Sequence, residues 1–228
     1  MSRSLDEVVA VVDRLRSPGG CPWDRAQTHE SLAKYLLEES YETVEAIEAG
    51  DYVLLREELG DLLLQVLLHA RIAEEASAAQ RFSIDEVADD LAAKMIRRHP
   101  HVFADAVATD ADEVNANWER LKSAEKQRTS VTDGVPLAQP ALSLAGKLIS
   151  RVGRTELVVD FDAATATPAE SLGRRMFALV GEAVSAGVDP ESALRETTRA
   201  YREAILAAER VGSAEAPSGA VHSGTTDE

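Results

Sequence analysis

The stretch LEESYETVEAIEAGDYVLLREELGDLLLQ (37–65) decides how this chain reads. Between Glu38 and Asp61 it carries nine acids and one basic residue, Arg56, yet leucine, valine and isoleucine run all through it. Surface helices usually mix charge signs. At about 100° per residue, Glu39 falls roughly 20° from Leu32 and Glu42 roughly 80° from it, both on or beside the apolar face. Glu38 lies at the edge of that face and Glu45 points away. After Gly50-Asp51 a second helix begins. There Leu54, Leu68 and Ile72 fall within roughly 20° of Asp61, with Glu58 about 60° away. That arithmetic places Asp61 among buried leucines, and LGDLLLQVLL (59–68) is apolar nearly all round, the pattern of a central helix.

Carboxylates in such a setting must be protonated, paired or bound to metal, because isolated ones cost several kcal/mol each. Arg56 is the only local cation. Two helices joined by a tight turn instead bring Glu39-x-x-Glu42 and Glu58-x-x-Asp61 face to face. Four clustered carboxylates suit a hard divalent cation, Mg²⁺ with Mn²⁺ as substitute. A di-iron bundle asks for Glu-x-x-His, whereas position 45 is glutamate and position 64 leucine.

The rest of the chain fits an all-α protein. Apolar residues make up 45%, charged residues 28% and aromatic residues 4%, with no stretch of period-2 alternation. Helices are expected at about 4–16, 31–49, 52–76, 83–99, 111–127, 141–152, 168–186 and 190–210. Thr28 or Ser31 caps the second of these, and Ser83-Ile84-Asp85-Glu86 reads as a capping box. Residues 17–31 and 129–140 read as loops. The end, GSAEAPSGAVHSGTTDE (212–228), reads as a disordered tail.

The net charge of −16 excludes a broad nucleic-acid-binding surface. It still allows a nucleotide whose charge a metal offsets. A single cysteine, Cys21, rules out an internal disulfide, and MSRSLDEVVAVVDRLR (1–16) does not read as a signal peptide. No run reaches membrane-spanning length, so a cytoplasmic protein is expected. Lys94 and Arg98 stand i, i+4 near the end of one helix and offer two cations to a polyphosphate. The His-Pro-His at 99–101 admits a zinc reading, but Pro100 stopping a helix explains it more simply. Trp118 fits either stacking on a base or packing in the core.

With these residues in hand, the chain resembles the MazG family of all-α nucleoside triphosphate pyrophosphohydrolases. The resemblance rests on PGGCPWDRAQTHESL (18–32), EESYE (38–42), REELGDLL (56–63), RRHPHVF (97–103) and NANWERLKSAEK (115–126). It covers residues 5–126 closely and 139–210 more weakly. It implies a Mg²⁺-dependent homodimer that hydrolyses NTPs and dNTPs, canonical or damaged, to the monophosphate and pyrophosphate. Carried over by residue, Glu39, Glu42, Glu58 and Asp61 are the metal ligands and Glu38 a further acid, our candidate general base. Lys94 and Arg98 match the phosphate-binding cations, and Trp118 the base-stacking residue. The implied chemistry is attack of a metal-activated water at the α-phosphorus.

Longer members of the family carry a second copy of the module. Here AESLGRRMF (169–177) aligns with REELGDLLL (56–64), so that Ser171 replaces Glu58 and Arg174 replaces Asp61. The expected organisation is a catalytic domain at 1–128, a linker at 129–140, a degenerate second repeat at 141–210 and the tail at 211–228. The competing reading, from another class, is a non-catalytic helical dimer that binds nucleotides or a protein partner. It leaves the acidic quartet without a purpose. Relatives acting on dUTP or phosphoribosyl-ATP share the superfamily, but the CPWD and RRHPHVF segments point to MazG itself.

Overall fold

The computed structural model describes residues 3–106, 110–126, 129–160 and 167–214, and among them every regular element is a helix. In chain order these are α1 (Arg3–Arg16), α2 (Pro22–Ala26), α3 (His29–Ala49), α4 (Tyr52–Ala73), α5 (Ile84–Arg98), α6 (Pro100–Phe103), α7 (Ala111–Glu125), α8 (Ala141–Val152), α9 (Pro168–Ser185) and α10 (Pro190–Ala214). The all-α class expected from periodicity is the class observed. The disordered tail expected at 211–228 falls, from 215 onward, outside the described residues; 211–214 belong to α10.

The chain divides into two compact units, Met1–Lys122 and Ser123–Glu228. In the first, Val12 of α1, Leu32 of α3, and Leu67 and Leu68 of α4 form the buried centre. Val8, Val9, Tyr35, Leu63, Leu64, Ile72 and Ile84 pack around it. These are the apolar stripes that the 3.6-residue period marks on each helix, turned inward to leave water.

Local chemistry fixes where the helices begin and end. Thr28 caps α3, and Ser31 is its reciprocal partner: the Ser31 N–H donates to Thr28 Oγ1 (3.2 Å) and the Thr28 N–H donates to Ser31 Oγ (2.9 Å). Both residues that the sequence offered as caps therefore act in one motif. Gly50 closes α3 in the left-handed region (φ 66°), which costs glycine least. Asp51 opens α4 at once, accepting from the Val53 and Leu54 N–H groups at 2.9 and 3.0 Å. So α3 and α4 form a tight antiparallel hairpin. Ser83 and Glu86 form the capping box of α5, and Pro100 starts α6 just past its end.

The reading of 17–31 as loop needs correction. Pro22 starts a five-residue helix, too short for periodicity to betray, with proline at a position where its missing N–H costs nothing. Gly20 holds the preceding turn, since a Cβ there would collide with the carbonyl oxygens of Arg14 and Leu15. Buried Arg16 ties this region down. It donates to the Asp24 carbonyl, to the Gln27 carbonyl (3.2 Å) and to the Glu75 carboxylate (3.0 Å).

In the second unit, α8, α9 and α10 pack on one another. Gly146 of α8 is buried against Pro190 and Val184, with room for a Cβ at ordinary contact distance, and Val180 of α9 is buried. Arg151 donates to the carbonyls of Val131 (2.9 Å) and Asp133 (2.8 Å), pinning the preceding loop onto α8. Thr167 and Glu170 cap α9 reciprocally.

Candidate active site

The α3–α4 hairpin brings Glu39, Glu58 and Asp61 together, with one carboxylate oxygen from each lying within 4.8 Å of the others. Glu58 is 8% exposed, and Glu39 and Asp61 are half-buried. Burial pushes the Glu39 carboxyl above its usual range, and the charges of Asp61, Glu42, Glu58 and Glu38 add to the effect. Glu58 is raised as well, first by burial and then by Glu42, Asp61 and Glu57. Both shifts have the same meaning: burial first, and neighbouring anions second, disfavour the ionised acid. Arg56, on the same helix as Glu58 and Asp61, is exposed and pairs with none of them.

Two placements differ from the helical-wheel reading. Glu58, not Asp61, is the most buried acid of the cluster. The buried face over this half of α4 is centred nearer Glu58 and Gln65 than Asp61. Glu42 is exposed and stands outside the three-residue cluster, although its charge reaches both Glu39 and Glu58. Glu38 is exposed at the rim.

A donor set made only of carboxylate oxygens, half-desolvated and lacking a protein cation, suits a hard divalent ion. Glu39, Glu58 and Asp61 are placed to hold it, with Glu42 beside them. A further acceptor lies one turn along α4, where the buried Oε1 of Gln65 has no hydrogen-bond partner. The residues present fit the ion.

At the end of α5, Arg98 is buried (6% exposed) and Lys94 half-buried. The Arg98 guanidinium carbon sits 5.1 Å from the centre of the Trp118 ring, and His99 meets the same ring edge-on at 5.0 Å. Half-buried Trp118 is thus held by a cation on one helix end. Both readings of Trp118, base stacking and packing, are compatible with a half-buried ring in this position. His99 Nδ1 lies 2.7 Å from the Met95 carbonyl, as a helix-end contact would place it. Neither His99 nor His101 joins a metal-ligating group among the described residues.

A family model described as the MazG nucleotide pyrophosphohydrolase domain matches residues 27–103. The chain is 40% identical over 218 residues to the nucleoside triphosphate pyrophosphohydrolase/pyrophosphatase MazG of Thermotoga maritima, covering 87% of this chain and 83% of that protein. The chain belongs to the MazG family. It is also 35% identical to the nucleoside triphosphate pyrophosphohydrolase of Escherichia coli K12, over 91% of this chain and 88% of that one. With the Mycobacterium tuberculosis protein of the same description it shares 45% identity, over 90% of this chain but 58% of the relative. The matched MazG segment holds the whole α3–α4 hairpin and, on α5, Lys94 and Arg98.

The sequence reading missed polar residues on the inner face of this MazG hairpin. Gln65 and His69 follow Glu58 at i+7 and i+11, so the same face arithmetic that found the acids would have found them. His69 Nδ1 lies 2.8 Å from His29 Nδ1, across the hairpin. The two rings are parallel within 3°. At that nitrogen separation their planes are too close for face-to-face stacking, so the rings meet edge to edge, in line with an N–H···N hydrogen bond. Burial, and then His29, holds the His69 pKa below the ordinary histidine value.

Proposed function

We propose that this chain is a Mg²⁺-dependent hydrolase that converts nucleoside triphosphates to the monophosphate and pyrophosphate. The observation that carries this reading is the convergence of Glu39, Glu58 and Asp61 with no ion-paired cation among the described residues. The relatives described as nucleoside triphosphate pyrophosphohydrolases support the reaction class. In this reading Glu39, Glu58 and Asp61 hold the ion, and Glu42 closes the open side. When bound, Mg²⁺ supplies charge for the developing pyrophosphate and lowers the pKa of water at the site.

The chain's own groups do the remaining work. Glu38, exposed at the rim, takes the proton of the water that attacks the α-phosphorus. Lys94 Nζ and the Arg98 guanidinium bind the outer phosphates, the latter through planar donors suited to phosphate oxygens. Trp118, already braced by Arg98, offers a ring face to the base. Catalysis resides in the first unit, and the second is a degenerate repeat with a structural role. The working form is a homodimer: Tyr52, Leu59 and Val66 are exposed at i, i+7 and i+14 along α4, an apolar seam suited to a second copy. The protein works in the cytoplasm. No described helix is long and apolar enough to cross a membrane.

The test is release of pyrophosphate against orthophosphate from canonical and damaged NTPs and dNTPs, with Mg²⁺ and with EDTA. Pyrophosphate release that needs the metal supports the reading. A folded protein that releases none from any of them sinks it, and a binding module becomes the better description.

A further inference from the structure

Gln65 is the polar residue that neither the core nor the acid cluster uses. It is 4% exposed, and its Oε1 is buried with no hydrogen-bond partner. Buried amide oxygens are nearly always satisfied, because leaving one bare forfeits its hydration. Leucines of similar size line the helix on both sides of it, so an apolar residue would fit the core without that cost.

Its position says what the oxygen is for. Gln65 is four residues beyond Asp61 and seven beyond Glu58, on one face of α4. Side chains on a helix lean toward its N-terminus, so the Gln65 amide covers the turn that carries Asp61. Ionised carboxylates on that turn only accept hydrogen bonds, and the leucines beside them offer none. The next polar group on this face, the His69 ring, is engaged with His29 at Nδ1, so a donor for the Gln65 oxygen can come with whatever the acids bind. Small divalent cations keep several waters when held by a few carboxylates, and those waters are strong donors.

We infer that Gln65 is a positioning residue whose Oε1 accepts a hydrogen bond from the hydration shell of the cation held by Glu39, Glu58 and Asp61. This rests on the metal-binding reading of the cluster. A neutral amide suits the role because it orients a water without adding a charge to acids that already repel one another. Partners of this outer kind contribute to metal affinity without touching the metal.

The experiment is calorimetric titration of Mn²⁺ into the nucleotide-free full chain, with melting temperatures of the metal-free forms alongside. Gln65→Leu and Gln65→Met keep the volume and remove the acceptor; Gln65→Glu keeps an acceptor. The expected result is an affinity lower by about 10-fold or more for Leu and Met. Their metal-free melting temperatures should be no lower than wild type, and Gln65→Glu should keep wild-type affinity or better. A structural role would instead lower the melting temperature and leave affinity alone. Wild-type affinity in folded Leu or Met variants overturns the role of Gln65 alone. A loss in Gln65→Glu equal to that in Gln65→Leu overturns it too. Absence of Mn²⁺ binding in the wild type removes the inference together with the metal reading beneath it. Should the Leu variant not fold, the Met variant carries the test.

Discussion

α4 and α9 carry the same Leu-Gly pair and put it to different use. Leu59 and Leu172 are exposed alike, at 52% and 49%, and neither Gly60 nor Gly173 has a neighbour that a Cβ would touch. Around them the two helices diverge. Glu58 is the seventh residue of α4 and faces the acids of α3, whereas Ser171 is the fourth of α9, within its first turn. Glu170, which aligns with Glu57, is spent on the capping box with Thr167. Acids stay on an inner face only where a second helix brings acids to meet them. Where that partner is missing, a hydroxyl and an arginine stand instead, and the remaining carboxylate serves the backbone.

The contrast extends to protonation. In the first unit Glu39 and Glu58 are raised by burial and then by neighbouring acids, Asp61 and Glu42 among them, so the metal-free fold is opposed by their ionisation. In the second, Asp189 is lowered by the Ser192 hydroxyl and backbone N–H, the signature of an ordinary helix cap. One set of acids loads the fold and the other supports it.

The sharpest break in the comparison is Glu58→Gln against Ser171→Ala. Outer partners of a metal cost 10- to 100-fold when removed, so losing a ligand should lower Mg²⁺-dependent pyrophosphate release by about 100-fold or more. Ser171→Ala should leave it within about 2-fold, since removing an exposed hydroxyl away from the chemistry has little effect. Equal losses in the two variants would erase the distinction between the two helices. Next, Asp189→Ala should destabilise by about 1 kcal/mol, the usual worth of an N-cap. That corresponds to a melting temperature about 3 °C lower. Because the folded pKa of Asp189 is depressed, its contribution is present above the ordinary aspartate range. It is lost as pH falls through the folded value, so the penalty should disappear in acid.

Glu39→Gln should shift stability the other way, by a smaller amount. A raised folded pKa means the fold prefers the protonated acid. That preference is full below the ordinary glutamate range and is lost as pH rises through the folded value. The metal-free variant should therefore melt about 2 °C higher than wild type near pH 7.5, discounted for solvent screening, and match it near pH 4. Saturating Mg²⁺ should reverse the order at neutral pH. A variant that melts lower than wild type without metal would show that Glu39 is a structural acid. The smallest expected effect is the graft Ser171→Glu with Arg174→Asp. It should add no Mn²⁺ binding by calorimetry, because α8, which packs on α9, carries no acidic residue. A second binding event would show that α9 alone suffices.

How much of this could be read from the residues depends on the range of the interaction. The caps of α3 and α5 were legible because Thr28, Ser31, Ser83 and Glu86 act within four residues of each other. The hairpin and its facing acids were legible because periodicity and a Gly-Asp turn suffice to fold them together. α2 was not, since five residues carry no period. The rank of Glu58 over Asp61 depended on where the buried face is centred, which neighbouring helices decide. The grip of Arg98 on Trp118 joins residues twenty positions apart, beyond any local pattern.

Gly50 and Asp51, both exposed, are the whole connection between the two acidic helices. One more residue taken into the first turn of α4, just past them, would turn the rest of the helix by about 100° about its axis and slide it by about 1.5 Å. Glu58 and Asp61 would swing away from Glu39, while every side chain of the cluster remained in place along the chain. The alignment of the carboxylates is thus held by the length of a surface turn that touches none of them. An evolving sequence can change almost any residue around this turn more freely than it can change the number of residues within it.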